Sequence, residues 1–294
     1  MDCSTSEWII NNKEINMEKK FILGKGQFGT VYGGEWRGLI VAIKKFDNLD
    51  KNKIKLMENE FNVMTKLHHP NIIQLLGYVE NPFSIVMEYI PKGCLRNYLK
   101  THSWTTVQLK IRFMMDIAKG LAYLHARKPS FIIHRDIKTT NFLVTKDLQI
   151  KIADFGICKI LENQYIEKSQ ENLQYLQDID ATANVGTLYY MAPELVVKKK
   201  TTNYNASVDI YSFGCVMYEV FEGNKLFDFI SNREEYINVI LSHEKPEFFR
   251  TKKFIQKIIL QCLDKNPLKR PTALWILKYF QHYYKSKWWL KFAF

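Results

Sequence analysis

The apolar positions of the early chain recur in two rhythms. Between Gly29 and Phe46 the rhythm is that of strands. Thr30, Val31 and Tyr32 are β-branched or aromatic, and "LIVAIKKF", Leu39 to Phe46, alternates Val41 and Ile43 with Ala42. Gly33, Gly34 and Gly38 lie between the two runs and would make a poor helix. From about Lys51 to Leu67 the rhythm turns helical. Ile54, Met57, Phe61, Met64 and Leu67 recur three or four residues apart and predict one apolar face. Glu60 stands four residues before Met64 and seven before Leu67, so it shares the inward side, whereas Glu58 points elsewhere. A carboxylate on a buried face needs a cation. Lys44, at the end of the second strand run, is the candidate; a half-exposed Glu60 beside the apolar stripe is the plainer alternative.

The strand rhythm decides how "LGKGQFGTVY", Leu23 to Tyr32, is read. Gly24, Gly26 and Gly29 form the pattern G-x-G-x-x-G, which arises easily by chance. A dinucleotide-binding turn requires a strand before the glycines, a helix after them and an acid about 20 residues on. Asp47 lies near that distance, but strand follows where helix is required. The glycines therefore join strand to strand. Two readings fit: a flap whose backbone N–H groups approach phosphates closely, or a hairpin with a purely structural role. Lys44 comes fifteen residues after Gly29, on the strand beside such a flap, within reach of phosphate oxygens.

At 294 residues and 47% hydrophobic composition, the chain can bury one large core or two modest ones. It opens "MDCSTSEW", with no basic-then-apolar signal and no glycine at position 2, and nowhere runs 18 apolar residues unbroken. A soluble, intracellular, cytoplasmic chain is expected. The five cysteines (Cys3, Cys94, Cys158, Cys215 and Cys262) are dispersed and never spaced C-x-x-C. That argues against a disulfide framework or zinc site and fits a reducing compartment. The net charge of +12 favours acidic partners such as a nucleotide, an acidic peptide, anionic lipid or nucleic acid; scattered solvated lysines are the plainer account. With no zinc finger, RNA-binding signature or aromatic-interleaved basic repeat, no nucleic-acid partner is expected.

A second concentration of chemistry lies in "IIHRDIKTTNFLV", where His134, Arg135, Asp136, Lys138 and Asn141 crowd between two apolar runs. Such crowding predicts a loop held rigidly over a core. Asp136 can accept a hydroxyl proton, Lys138 can neutralise a transferring phosphoryl group, and Asn141 offers an oxygen to a hard metal. "IKIADFGI" then places Asp154 after another β-rich stretch. A turn Asp or a capping Asn accounts for any one of these, but not for the joint pattern.

From about Phe21 to Phe280 the chain resembles a eukaryotic-type protein kinase. "GKGQFGTV", "VAIK", "HRDIKTTN", "DFG", "GTLYYMAPE" and "DIYSFG" stand in that family's order. "HRDIKTTN" with Lys138, and "GTLYYMAPE", resemble the serine/threonine enzymes. "GEWRGLIVAIKK" and the leading Trp8 segment resemble the tyrosine-kinase-like group, which is mostly serine/threonine-specific.

The resemblance implies an α+β, bilobal fold: a small antiparallel sheet with one helix, then a larger, mainly helical lobe. It implies an extension over 1–20 and a kinase domain over 21–280, with a small lobe to about 87, a hinge over 88–92 and a large lobe from 93. A tail over 281–294 follows. The implied reaction transfers the γ-phosphoryl group of ATP, the co-substrate, to serine or threonine hydroxyls of a protein substrate, with Asp136 as catalytic base. Leu23, Gly24, Gly26 and Gly29 would cover ATP, and Lys44 would hold its phosphates while pairing with Glu60. Val31, Ala42 and Leu143 would sandwich adenine, Met87 would guard the back pocket, and Glu88, Tyr89 and Ile90 would supply hinge backbone bonds. Asn141 and Asp154 would hold Mg2+, with Mn2+ an alternative, and Lys138 would meet Thr187 near the transferred phosphate. Met64, Leu75, His134 and Phe155 would stack in a column anchored by Asp209, and Glu194 would pair with Arg270. The activation segment would open at Asp154, Phe155 and Gly156, carry Thr182 and Thr187, and close at Glu194. A binding module of the same fold usually lacks a phosphate, metal or base residue, and none is missing here. "GTLYYMAPE" with Arg270 argues against a small-molecule substrate.

Two features depart from the family's pattern: a long polar insert around "NQYIEKSQENLQYLQDID" and the ending "YYKSKWWLKFAF". In the family an arginine such as Arg135 often receives a phosphate. Thr182 is the first choice of donor, ahead of Tyr165, Ser169 and Tyr175; an insert carboxylate (Glu162, Glu167, Glu171, Asp178 or Asp180) is the alternative partner. The ending is read as a last helix whose aromatics pack while its lysines snorkel, in preference to an anionic-membrane anchor. No membrane partner is expected.

Overall fold

The computed structural model describes residues 7–26, 29–46, 51–161, 188–196, 205–230, 232–242 and 244–289. Asp47, the insert with Thr182 and Thr187, and the final residues 290–294 lie outside them.

Short β-branched runs separated by glycines build the first part. β1 (Ile15–Gly26), β2 (Gly29–Trp36), β3 (Leu39–Lys45), β4 (Leu75–Val79) and β5 (Ser84–Glu88) form one antiparallel sheet, ordered β1-β2-β3-β5-β4. The glycine pattern closes the β1–β2 hairpin, with Gly26 opposite Gly29. Gly29 has φ +141°, and a Cβ there would lie 2.0 Å from the Lys45 carbonyl oxygen, so only glycine fits. The strand-to-strand reading holds. Strand alternation sorts β3: Val41 and Ile43 pack with Ile10, Val79 and Val86 in one small cluster, while Ala42 joins the main core. Before β1, Ile9 bridges Tyr78, and the Ile10 amide donates to the Tyr78 carbonyl at 2.8 Å, which covers the β4 edge.

α1 (Lys51–Met64) buries Met57, Phe61, Met64 and Glu60, as its period predicts, together with Val63. It stops before the expected Leu67. The amides of Lys66 and Leu67 reach back only three residues, to Val63 and Met64, at 3.1 Å each. The chain tightens there, yet Leu67 stays 1% exposed.

The second part is mainly helical: α2 (Leu95–Thr101), α3 (Val107–Ala126), α4 (Pro193–Val196), α5 (Ser207–Glu222), α6 (Arg233–Ser242), α7 (Lys253–Cys262) and α8 (Ala273–Trp289). Thr106 caps α3, its hydroxyl accepting the Leu109 amide at 3.2 Å. α5 is buried nearly all round, the mark of a helix inside a core, and stops at Gly223, whose φ is +97°. Two small ribbons lie near it: β6 (Phe131–Ile133) with β9 (Lys159–Leu161), and β7 (Phe142–Val144) with β8 (Ile150–Ile152). On α8, the Tyr283 ring stacks on Phe254 with centroids 3.7 Å apart. Among the described residues no helix is long and apolar enough to cross a membrane. The antiparallel sheet with one helix, followed by a helical body, is the α+β architecture expected.

Candidate active site

The loop between β6 and β7 is held from below by α5. Asp209, near its start, accepts the backbone amides of His134 and Arg135 at 2.8 Å each, and His125 Nε2 lies 2.8 Å from the same carboxylate. Burial would raise the Asp209 pKa, but the bond to His125 and the nearby His134 outweigh it and hold it below the ordinary range. Arg135 takes φ +64°, and its Nε donates to the Ile157 carbonyl at 2.6 Å. A non-glycine residue in that region costs on the order of 1–3 kcal/mol, so the loop needs these anchors.

Within the loop, Asn141 Nδ2 donates to both Asp136 O and Asp136 Oδ2, at 2.9 and 2.8 Å. Both partners are acceptors, so the amide orientation is fixed and Asn141 Oδ1 is turned away from them. Lys138 Nζ lies 2.7 Å from Asp136 Oδ2. Asp136 Oδ1 is buried without a hydrogen-bond partner among the described residues. Such an atom is costly unless another group uses it.

The β7–β8 ribbon brings Asp154 to this loop. The Ala153 amide donates to the Asn141 carbonyl at 2.8 Å, and Asp154 then turns with φ +67°. Its Oδ1 lies 3.0 Å from Lys44 Nζ, which also donates to Glu60 Oε1 and Oε2 at 2.8 and 2.6 Å. The half-exposed alternative for Glu60 is excluded, because it is 1% exposed. Burial disfavours the Lys44 ammonium, but Asp154 and Glu60 outweigh it and hold its pKa above the lysine range. Burial also opposes ionised Asp154, yet Lys44 and Lys138 pull its pKa below the ordinary value. His134 and Phe155 pack with ring centroids 5.1 Å apart, and Met64 and Leu75 are buried in the main core. Burial keeps His134 neutral by pushing its pKa down.

The expected adenine ground lies on β3 and β5, where Ala42 pairs with Met87 and Val31 of β2 pairs with Lys44. Leu143 lies in β7, is half-buried and bridges Cys94. Glu88 donates its amide to the Gln74 carbonyl at 3.1 Å and accepts Lys151 at 2.6 Å on its side chain. A Cβ on Gly24 would meet no described atom within 4 Å, so packing does not require glycine there. Farther off, Arg270 grips Glu194 through two parallel bonds of 2.5 and 2.9 Å.

The protein kinase domain family matches residues 17–285. The chain belongs to that family. Serine/threonine-protein kinase VIK of Arabidopsis thaliana is 32% identical over 92% of this chain and 61% of its own length. Putative serine/threonine-protein kinase/receptor R826 of Acanthamoeba polyphaga mimivirus is 35% identical over 90% of this chain and 15% of its own. Dual specificity protein kinase shkC of Dictyostelium discoideum is 32% identical over 93% of this chain and 52% of its own. The chain thus spans less than two thirds of each of these relatives.

In this kinase domain Lys44, Glu60 and Asp154 are bonded together, Asp136, Lys138 and Asn141 form a second group joined to them through Ala153, and Glu194 with Arg270 forms a separate pair. Thr182 and Thr187 fall outside the described residues. Sequence reading missed Asn59, whose Nδ2 donates to the carbonyls of Gly156 and Cys158 at 3.2 and 3.0 Å and ties α1 to the segment after Asp154. Its position next to Glu60 was the only signal. Sequence reading also missed a knot of Arg96, Thr139, Tyr190 and Glu219, whose members lie too far apart in the chain to share a local pattern.

Proposed function

We propose that this kinase domain transfers the γ-phosphoryl group of ATP to serine or threonine hydroxyls of a protein substrate. The observation that carries the reading is Lys44 Nζ bonded to both Glu60 and Asp154, which joins β3, α1 and the end of β8 at one buried point. The site residues take the roles their chemistry suits. Lys44 holds the phosphates, and Glu60 holds Lys44. Asp136 Oδ1, buried without a partner among the described residues, receives the substrate hydroxyl. The hydroxyl oxygen bonds to the γ-phosphorus as the bond to ADP breaks, and the hydroxyl proton passes to Asp136. Lys138, 2.7 Å from Asp136, balances charge on the moving group.

A divalent ion would be held by Asp154 Oδ2 and Asn141 Oδ1, for which no hydrogen bond is seen among the described residues. No cluster of three or more His, Cys, Asp and Glu able to hold a metal occurs among the described residues. Mg2+ needs only one or two protein ligands, because it keeps waters and binds phosphate oxygens. When bound, the ion would neutralise phosphate charge.

Incubation with γ-labelled ATP, Mg2+ and a panel of proteins, followed by phosphoamino-acid analysis, tests the proposal. Label on serine and threonine, lost in Asp136→Asn, is the expected result. No label on any substrate, with ATP still bound, would favour a binding module, and label mainly on tyrosine would overturn the residue specificity.

A further inference from the structure

Beside the loop that carries Asp136 lies a charged knot that bears on which substrates the domain accepts. Arg96 of α2 donates through Nε to Thr139 Oγ1 and to Glu219 Oε1, both at 3.1 Å, and through Nη2 to the Tyr190 hydroxyl. Tyr190 donates to Glu219 Oε2 at 2.5 Å, and Thr139 Oγ1 lies 3.0 Å from both Glu219 oxygens. The Glu219 charge is already matched by Arg96, and two hydroxyls occupy its oxygens as well. A cationic side chain arriving from a substrate finds this carboxylate spoken for.

Among the described residues, two cations near the knot, Lys225 and Lys100, have no carboxylate partner. Lys225, just beyond α5, holds Nζ 4.3 Å from the centroid of the Tyr189 ring and forms no ion pair among the described residues. Lys100, in the last turn of α2, is exposed and likewise makes no ion pair among them. Burial lowers the Lys225 pKa, and Arg96 and Lys100 push the same way against Glu219 and Asp228. Asp228, an exposed carboxylate nearby, accepts the Asn224 side-chain amide at 3.3 Å. Tyr190 also touches Thr139, which comes three residues after Asp136, so this ground adjoins the reacting position.

Resting on the phosphoryl-transfer reading above, we propose that Lys225, aided by Lys100, selects protein substrates with a carboxylate side chain within a few residues of the phosphorylated serine or threonine. A substrate Asp or Glu gives the half-buried ammonium the anionic partner it lacks in the described structure, through a charge-assisted hydrogen bond. A substrate Lys or Arg meets like charge.

The test uses the full chain and two peptides that differ only in flanking a central serine with glutamates or with lysines, plus alanine-centred copies of both. Rates are read on the serine peptides, and binding is read by fluorescence anisotropy on the alanine copies. The glutamate peptides should win by about tenfold on both counts at low salt, with the margin narrowing as salt rises. Lys225→Glu should erase the margin and Lys225→Arg should keep it. Lys257→Glu, the same charge change on the exposed side of α7, should leave it intact. Equal binding of both alanine copies, a lysine preference, or an equal effect of Lys257→Glu would overturn the proposal. A glutamate preference in binding without phosphate transfer would uphold charge selection and count against the enzymatic reading. Transfer to both serine peptides at equal efficiency would do the reverse.

Discussion

Two buried ion-pair systems in this molecule are built on opposite plans. Arg270 and Glu194 are matched one to one. Arg270, its side chain fully buried, spends Nη1 on Glu194 and the Ser207 carbonyl, Nη2 on Glu194 and Nε on the Asp264 carbonyl, while Tyr211 lies under its plane. At the other centre, two ammonium groups, Lys44 and Lys138, face three carboxylates, Glu60, Asp136 and Asp154. The first system is closed and holds fixed elements together. The second holds more carboxylates than ammonium groups among the described residues, keeps Asp154 30% exposed on its side chain, and has an oxygen on Asp136 with no hydrogen-bond partner among them. Crowded carboxylates are a stability cost, and on the proposed reading a divalent ion with a polyphosphate would relieve it. Completeness marks the structural pair, and incompleteness marks the centre proposed to react.

Breaking the closed pair should have the largest effect. Arg270→Ala leaves the Glu194 carboxylate without its cation and strands the carbonyls of Ser207 and Asp264. Loss of about 3–5 kcal/mol is expected in urea unfolding, and a loss under about 1 kcal/mol would show that the pair is not structural. Breaking the open centre should instead spare the fold and remove the rate. On the proposed reading, Asp154→Asn would remove a metal ligand and Lys44→Met the phosphate contact. Each should slow transfer by on the order of 100-fold or more, with unfolding midpoints close to wild type for Asp154→Asn. Turnover within a few-fold of wild type in either variant would reverse the assignment.

Acid should act through the neutral histidine that supports the open centre. Burial holds His134 below its ordinary value of 6.5. The unfolded chain gains a proton below that pH while the folded chain refuses it, so this contribution is intact above 6.5 and lost as pH falls toward the folded value. The slope from one such group is at most about 1.4 kcal/mol per pH unit. Denaturation near pH 7.5 and near pH 5.5 measures it, and His134→Phe should flatten that part of the slope. The smallest effect belongs to Asn59→Ala, which removes two bonds between α1 and the segment after Asp154. A stability loss of about 1 kcal/mol is expected, with a fall in turnover at saturating ATP. An unchanged rate would mean that α1 needs no such tie.

Legibility in the sequence differs between the two systems for a physical reason. Glu60 was readable because helical period put a carboxylate on an apolar face, and Asp136, Lys138 and Asn141 because polar residues crowd between two apolar runs. The hairpin was readable because β-branched residues follow its glycines. Arg270 carries no local signal, and its partner Glu194 was placed only through the family resemblance. The knot of Arg96, Thr139, Tyr190 and Glu219 was not readable at all, since tertiary packing alone brings those four together. The early end of α1 was missed because Leu67 keeps the apolar period after the helix has tightened into a turn.

On the proposed reading, the excess of carboxylates over ammonium groups among Lys44, Glu60, Asp136, Lys138 and Asp154 serves a divalent ion carrying a nucleotide. Thermal unfolding of wild type and Asp154→Asn with ATP, in Mg2+ and in chelator, measures this. The wild-type midpoint should rise by about 5 °C at 100-fold saturation with Mg2+ and clearly less in chelator, while Asp154→Asn should lose most of the Mg2+-dependent part. Equal shifts in both proteins, or shifts indifferent to Mg2+, would contradict the account.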